Sequence, residues 1–330
     1  MAFVSSSLAL AWIVLSIATQ GTLASPTPLD ISPSLQEILN KAHQGPLYTY
    51  PTSLTQGIIP RTPSLNAAKQ RLTKIADWRD VPFYTALSVG AVSTESDVWL
   101  YNDTLFVGHE QGALTTARTF ESLYINPILD VLKRQNPTNS AFVTSPTHNG
   151  VFDTDGGQTL YLFVDLKTDG ASTWPAVVKA LEPLRSAGYL SSVNSTTFTS
   201  GAVTVIGTGN TPLSLVQPIT DRDYFWDAPI PTLNSTFSNI TSLISPIAST
   251  DFAANFGPVL GTSLNSTQLD LLRTQVKVAH DKGIKLRYWD QPAWPLSTRD
   301  AVWRLLRTEG VDFINADDVA AAAGFGDAYW

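Results

Sequence analysis

Four times along this chain an apolar spacing of helical period closes on a glycine and gives way at once to a β-branched or aromatic run. The pattern predicts helices over 82–89, 174–186, 267–282 and 299–309. Each leads through Gly90, Gly188, Gly283 or Gly310 into a strand, over 91–100, 189–193, 284–289 and 311–315. A glycine just past a helix takes the left-handed conformation that ends it, so the same residue marks helix stop and strand start. Further strands are expected over 159–166, 202–207 and 223–226, with a helix over 120–134 that Thr119 caps. Pro127 should interrupt or kink that helix, because it lacks the N–H of the ladder and crowds the preceding turn.

Strands alternating with helices form a parallel sheet, either open and doubly wound or closed into a barrel. No Gly-X-Gly-X-X-Gly turn and no Walker loop is present, which removes the usual nucleotide-binding reasons for an open sheet. Instead, acids end or follow several strands: Asp97, Asp165, Asp227, Asp290 and Asp317. A barrel gathers its strand C-termini around one mouth, where active sites sit. The expected fold is therefore α/β, a (β/α)8 TIM-type barrel.

Two of those strands carry unusual chemistry. Glu95 and Asp97 sit two apart in Thr94-Glu95-Ser96-Asp97-Val98-Trp99 and so point to one face of a strand. Asp165 lies in Leu162-Phe163-Val164-Asp165-Leu166-Lys167. An unpaired buried carboxylate costs several kcal/mol, on the order given for buried charge. The three acids together suit a hard divalent cation, Mg²⁺ or Ca²⁺, in which case their carboxylates should lie within roughly 6 Å of one another. The alternative for Asp97 and Asp165 is ion pairing with Lys167 or Arg287 inside the barrel. His109 follows Leu105-Phe106-Val107-Gly108, a short strand that can return after a turn at Tyr101-Asn102-Asp103 and bring the imidazole to the acids as a proton-transfer group. Lys167 is a candidate phosphate partner. Trp289 ends its strand and either walls the mouth as part of a substrate pocket or packs the barrel against a helix. The segment Asn315-Ala316-Asp317-Asp318 either caps the next helix or lines the pocket. His43, His148 and His280 fall in the leader, in a loop and near a helix end, and have weaker claims.

Composition narrows the setting. The apolar run from Leu8 to Ala18 is short for a bilayer span, and Thr22-Leu23-Ala24 offers small residues for cleavage; residues 1–24 read as a secretory signal peptide, the alternative being an uncleaved anchor. Residues 25–70 read as an irregular Pro-rich leader with one short helix at 35–42, and 71–330 as a single barrel domain. Sequons begin at Asn102, Asn194, Asn234, Asn239 and Asn265, which suits a secreted glycoprotein; the chain has no cysteine, and a core of this size does not need disulfides. A net charge of −7 argues against nucleic acid as a partner. No further segment is apolar and long enough for stable membrane insertion.

Five elements taken in order resemble one family: Trp78-Arg79-Asp80-Val81-Pro82, Glu95-Ser96-Asp97-Val98-Trp99-Leu100, Val107-Gly108-His109, Val164-Asp165-Leu166-Lys167-Thr168-Asp169-Gly170 and Arg287-Tyr288-Trp289. The resemblance is to the fungal altered inheritance of mitochondria protein six family. That family lies within the phosphatidylinositol phospholipase C-like phosphodiesterase superfamily, beside glycerophosphodiester phosphodiesterases and sphingomyelinase D relatives. It implies a barrel with Mg²⁺ or Ca²⁺ on Glu95, Asp97 and Asp165, acid/base work by His109, phosphate contact by Lys167 and an aromatic wall at Trp289. It also implies a second histidine, from a His-(Ser/Ala)-His-Asn-Asp-Tyr stretch just before the Trp-Arg element. Here that place reads Leu72-Thr73-Lys74-Ile75-Ala76-Asp77, with no histidine, so the first strand region is expected to be damaged. The expected activity is that of a secreted, metal-dependent phosphoric diester hydrolase with a small-molecule or lipid phosphodiester substrate. The alternative is an impaired relative that binds a cation or headgroup without turnover.

Overall fold

All four glycine stops form as the spacing requires. Gly90, Gly188, Gly283 and Gly310 have φ between 68° and 91°. In each case the following residue returns its N–H to a carbonyl five positions back: Ala91 to Ala86, Tyr189 to Leu184, Ile284 to Ala279 and Val311 to Leu306. These contacts belong to a computed structural model that describes residues 79–323, apart from 139–142, 144, 154 and 260. The expected signal segment, the leader with its helix at 35–42, and the first strand region before Trp78 lie outside the described residues.

In chain order, α1 (Pro82–Ser88) leads to β1 (Ser93–Tyr101), which turns back as β2 (Thr104–Val107). One π-turn, Glu121–Ile125, precedes α2 (Asn126–Gln135). Then come β3 (Leu160–Leu166), α3 (Gly170–Ala180), α4 (Glu182–Ser186), β4 (Ser192–Asn194), β5 (Thr197–Thr199) and β6 (Val203–Gly209). The chain continues through β7 (Asp221–Arg222), β8 (Phe225–Trp226), β9 (Ala228–Pro229), β10 (Ile247–Asp251) and α5 (Phe252–Phe256). It ends with α6 (Ser266–Asp281), β11 (Lys285–Trp289), α7 (Leu296–Thr308) and β12 (Phe313–Ile314).

The parallel hydrogen-bonded order follows the chain: β1, β3, β6, β8, then β9, β10, β11, β12. β8 and β9 form one extended segment broken at Asp227, pairing with β6 before the break and with β10 after it. Sequential parallel strands with crossover helices make this a TIM-barrel-type fold. The described residues supply seven of its staves, and no pairing among them joins β12 to β1. The sheet curls far enough that Tyr161 of β3 meets the ring of Phe313 of β12 edge-on at 5.2 Å, although the two strands are remote in the order. Phe163, Ile206, Phe225, Ile247 and Phe313 fill the interior between them, each worth about 1.5–3 kcal/mol when fully buried.

Three expectations need correction. The run over 189–193 is not a barrel stave: only Leu190 bridges β6, and β4 and β5 fold away as an antiparallel hairpin that pairs with β7. The helix over 174–186 begins earlier, at Gly170, where Asp169 accepts from the Ser172 N–H, and it divides at Leu181 before Pro183 enters the first turn of α4. The stave β10 has no clear strand signal in the sequence, because its small residues Ala248, Ser249 and Thr250 look like the loop before them. Other details match. Thr119 caps at Ser122 N with 3.1 Å, and the helical register changes in the π-turn immediately ahead of Pro127.

Candidate metal centre

A two-residue turn sets the geometry of the mouth. Tyr101 pairs with Thr104, leaving Asn102 and Asp103 between them with φ of 46° and 59°. Both central residues left-handed is the turn whose twist matches a β-hairpin. The register it fixes, with Val98 opposite Val107, carries the chain on so that Gly108 N–H donates to the Asp97 carbonyl at 3.2 Å and Trp99 Nε1 donates to the Gly108 carbonyl at 2.7 Å. His109 is thereby held beside Asp97, and its Nδ1 lies 3.0 Å from Asp97 Oδ2. The short return strand read from the sequence places the imidazole as expected.

Strand register brings in the other acids. Asp97 pairs with Asp165, and Asp165 with Thr208, so each step across the sheet sets a polar side chain at one level of the mouth. Glu95 lies one inward step below Asp97, beside Phe163. Glu95, Asp97 and Asp165 each offer an oxygen, all within 4.8 Å of one another, inside the separation expected for a shared ion. Two ligands of one ion can be no further apart than twice the metal–oxygen distance, about 4.2 Å for Mg²⁺ and about 4.6–5.2 Å for Ca²⁺. A bound of 4.8 Å is of the size that one hard divalent cation, Mg²⁺ or Ca²⁺, needs. The donor set, all carboxylate oxygen, is that of a hard cation.

Lys167 Nζ lies 2.7 Å from Asp165 Oδ2 and 3.2 Å from Asp97 Oδ2, so part of the ion-pair alternative is present as well. Burial works against the ammonium, but Asp97 and Asp165 outweigh it and raise its pKa. Burial and the neighbouring Glu95 charge raise the pKa of Asp165, against the pull of Lys167. Asp97 is the hub, since His109 and Lys167 both meet its Oδ2.

Trp289 shares the inward face of β11 with Arg287, one step nearer the mouth, and is 39% exposed. Tyr288 points the other way, toward α6, where its hydroxyl donates to Gln275. Trp289 is thus a rim residue rather than a barrel-to-helix packing residue. Asp318 accepts from the Ala321 N–H as a cap. His280 pairs with Asp312 at 2.9 Å, away from the acids, and His43 lies outside the described residues.

The sequence names Arg287 as an alternative partner of Asp97 or Asp165, but it pairs with Glu95 instead; Asp227 is legible only as a strand-end acid, and Tyr124 and Gly209 carry no signal for the centre. Arg287 is buried, 2% exposed, and donates from one amino group to Glu95 Oε2 at 2.8 Å and from Nε to Ser249 Oγ at 3.0 Å. Its guanidinium lies 4.1 Å from the centre of the Phe163 ring, and its second amino group is 4.0 Å from Asp227 Oδ2. Asp227 sits in the break between β8 and β9; burial pushes its pKa up to about 6, against the pull of Arg287 and the hydroxyls of Ser249 and Thr208. Tyr124, delivered by the π-turn, donates its hydroxyl to the Glu95 carbonyl at 2.7 Å and pins the strand from outside. Gly209 makes room: at φ of 60°, a Cβ there would overlap Asp165 Oδ1. In the sequence it is only a glycine two residues past the expected strand end. Four acidic side chains, those of Glu95, Asp97, Asp165 and Asp227, thus share two basic ones, Lys167 and Arg287.

Comparison with known proteins identifies relatives of this chain. Residues 74–227 match a family model described as an AIM6-like phosphodiesterase domain. An altered inheritance of mitochondria protein 6 homolog from Arthroderma benhamiae is 50% identical, over 89% of this chain and 93% of that one. The protein of that name from Eremothecium gossypii is 33% identical over 75% of this chain and 67% of its own. Among solved structures, a glycerophosphoryl diester phosphodiesterase from Parabacteroides distasonis aligns over 80% of this chain and 90% of that one, at 11% identity and a TM-score of 0.44. With half of the aligned positions identical along nearly the whole of both proteins, the chain belongs to the altered inheritance of mitochondria protein 6 family, and the segment matching the phosphodiesterase-like domain carries Glu95, Asp97, His109, Asp165 and Lys167.

Proposed function

We infer that this chain is a secreted phosphoric diester hydrolase that depends on a divalent cation, Mg²⁺ or Ca²⁺, and acts on a glycerophosphodiester or phospholipid headgroup. The observation that carries the reading is the convergence on Asp97: an imidazole and an ammonium meet the same carboxylate oxygen, inside a cluster of three acids spaced for one ion. Glu95, Asp97 and Asp165 would hold the cation, which when bound supplies positive charge to a phosphate oxygen. Lys167, 23% exposed, adds a second positive charge at the same edge. His109 is tied through Nδ1 and is 53% exposed, so its Nε2 is the atom that exchanges a proton with an attacking or leaving oxygen. Trp289 on the rim offers an apolar wall for the rest of the substrate. Secretion is supported by the apolar N-terminal run and by the exposure of all five sequon asparagines, Asn102, Asn194, Asn234, Asn239 and Asn265.

A second reading has its own observation. Among the described residues, His109 is the one histidine bonded to these acids, and residues 72–77 contain none. A barrel of this kind binds a cation or a headgroup without turning it over. The full chain is assayed on glycerophosphodiester and lysophospholipid substrates, with Mg²⁺ or Ca²⁺ and with chelator, beside a version carrying a His-Ser-His-Asn-Asp segment before Trp78. Turnover by the native chain that chelator and His109→Ala both abolish supports hydrolysis. Cation binding with turnover only after insertion supports the second reading. Chelator-insensitive turnover sinks the metal dependence, and neither binding nor turnover sinks both readings.

A further inference from the structure

We propose that Arg287 is a positioning residue for the cation centre, fixing Glu95 in the orientation in which its carboxylate meets Asp97 and Asp165. The proposal rests on the reading that these three acids hold a divalent ion. Asp97 and Asp165 are steadied at the mouth by Lys167 and, for Asp97, by His109. Glu95 lies deeper and has the longer side chain, with one more rotatable bond to restrain. Its carboxylate takes a charge-assisted bond from Arg287, 192 residues away in the sequence.

The guanidinium is itself held from several elements. Ser249 of β10 accepts from Nε, Asp227 faces the second amino group, and the ring of Phe163 on β3 lies against its plane. A group so clamped, and 2% exposed, is not placed to follow a substrate phosphate. It is placed to keep one carboxylate still. A planar fork suits this task better than an ammonium, because its donors are fixed relative to one another.

The sign of the effect separates positioning from charge. A buried positive charge next to the centre repels a cation, so a purely electrostatic Arg287 would weaken ion binding and its removal would tighten it. A positioning Arg287 does the opposite. Outer partners that orient metal ligands typically account for ~10–100-fold in affinity.

The full chain and its variants are titrated with Ca²⁺ and Mg²⁺ by calorimetry, with circular dichroism verifying the fold. Arg287→Met should weaken ion binding by ~10–100-fold, and Arg287→Lys by less. In a Glu95→Gln background, Arg287→Met should add less than about twofold, since a residue acting only through Glu95 has nothing left to position. Should Arg287→Met not fold, Ser249→Ala takes its place, removing only the Nε acceptor. It should weaken binding by a few-fold with Glu95 present and leave it unchanged in Glu95→Gln. Unchanged or tighter binding in the variant that folds, or losses that multiply in full in the double variant, would overturn the proposal and leave the cation reading standing. A wild-type chain that binds neither ion would overturn the cation reading itself, and this one with it.

Discussion

Lys167 and Arg287 neutralise the same group of acids from opposite sides, and they do so in different ways. Lys167 stands at the mouth, 23% exposed, a point charge on a flexible stem shared between Asp97 and Asp165. Arg287 stands on the floor, 2% exposed, with its donors and its flat face committed to four other residues. A cation that keeps contact with water can exchange its partners for a ligand at little cost, whereas a buried one cannot leave without stranding a carboxylate. The mouth is therefore where chemistry can change hands, and the floor is where geometry is kept. Mutations on the two levels should separate activity from stability.

The largest expected effect is at the mouth. His109→Ala should lower turnover by ~10²–10⁴-fold, about 3–5 kcal/mol of barrier, while urea unfolding moves by no more than about 0.5 kcal/mol. A loss of stability as large as the loss of rate would erase the distinction between the levels. On the floor, Arg287→Met should destabilise the fold by about 3–5 kcal/mol, because Glu95 is left buried without its cation. Lys167→Met, measured in the same denaturant series, should cost less, since its partners remain in reach of water.

Asp227 gives the floor a pH signature. Burial, opposed by Arg287 and assisted by the Glu95 charge, places its folded pKa at about 6. Between roughly pH 4 and the folded value, the native state keeps a proton that the unfolded chain has released, so the sign of the linkage is loss of stability with rising pH. This contribution is complete below roughly pH 4, is lost as pH rises through about 6, and amounts to roughly 3 kcal/mol. Asp227→Asn should flatten the stability profile over that window, as read from unfolding midpoints at about pH 4, 5, 6 and 7. An identical slope in the variant would place the titrating group elsewhere.

The smallest effect joins the two levels. Gly209→Ala puts a Cβ at a left-handed position and against Asp165, and should cost about 1–2 kcal/mol from the backbone alone. Because the displaced carboxylate is one of the three acids, ion affinity should fall with it. Calorimetry showing unchanged affinity in a destabilised Gly209→Ala would mean that Asp165 can move aside without harm to the centre.

What the sequence determined by itself is what neighbouring residues can encode. The four helix stops, the Thr119 cap, the hairpin at Asn102-Asp103 that sets His109 beside Asp97, and the shared face of Glu95 and Asp97 all follow from φ preferences and from periods of 3.6 and 2. Asp165 and Lys167, legible at the end of one apolar run, are brought to the cluster by the structure. Tertiary structure alone decided the rest. Ser249 belongs to a stave because strands on both sides lend it hydrogen bonds, not because Ile-Ala-Ser-Thr-Asp looks like a strand. The run over 189–193 reads as a strand, yet it gives way to an antiparallel hairpin after one bridge to β6. Glu95 and Arg287 meet across 192 residues, and Gly209 is needed only because a carboxylate from another strand occupies its side-chain space. Local spacing specifies which face a side chain takes, but the partner that satisfies a buried charge, and the space left for it, exist only once distant strands have closed around one interior.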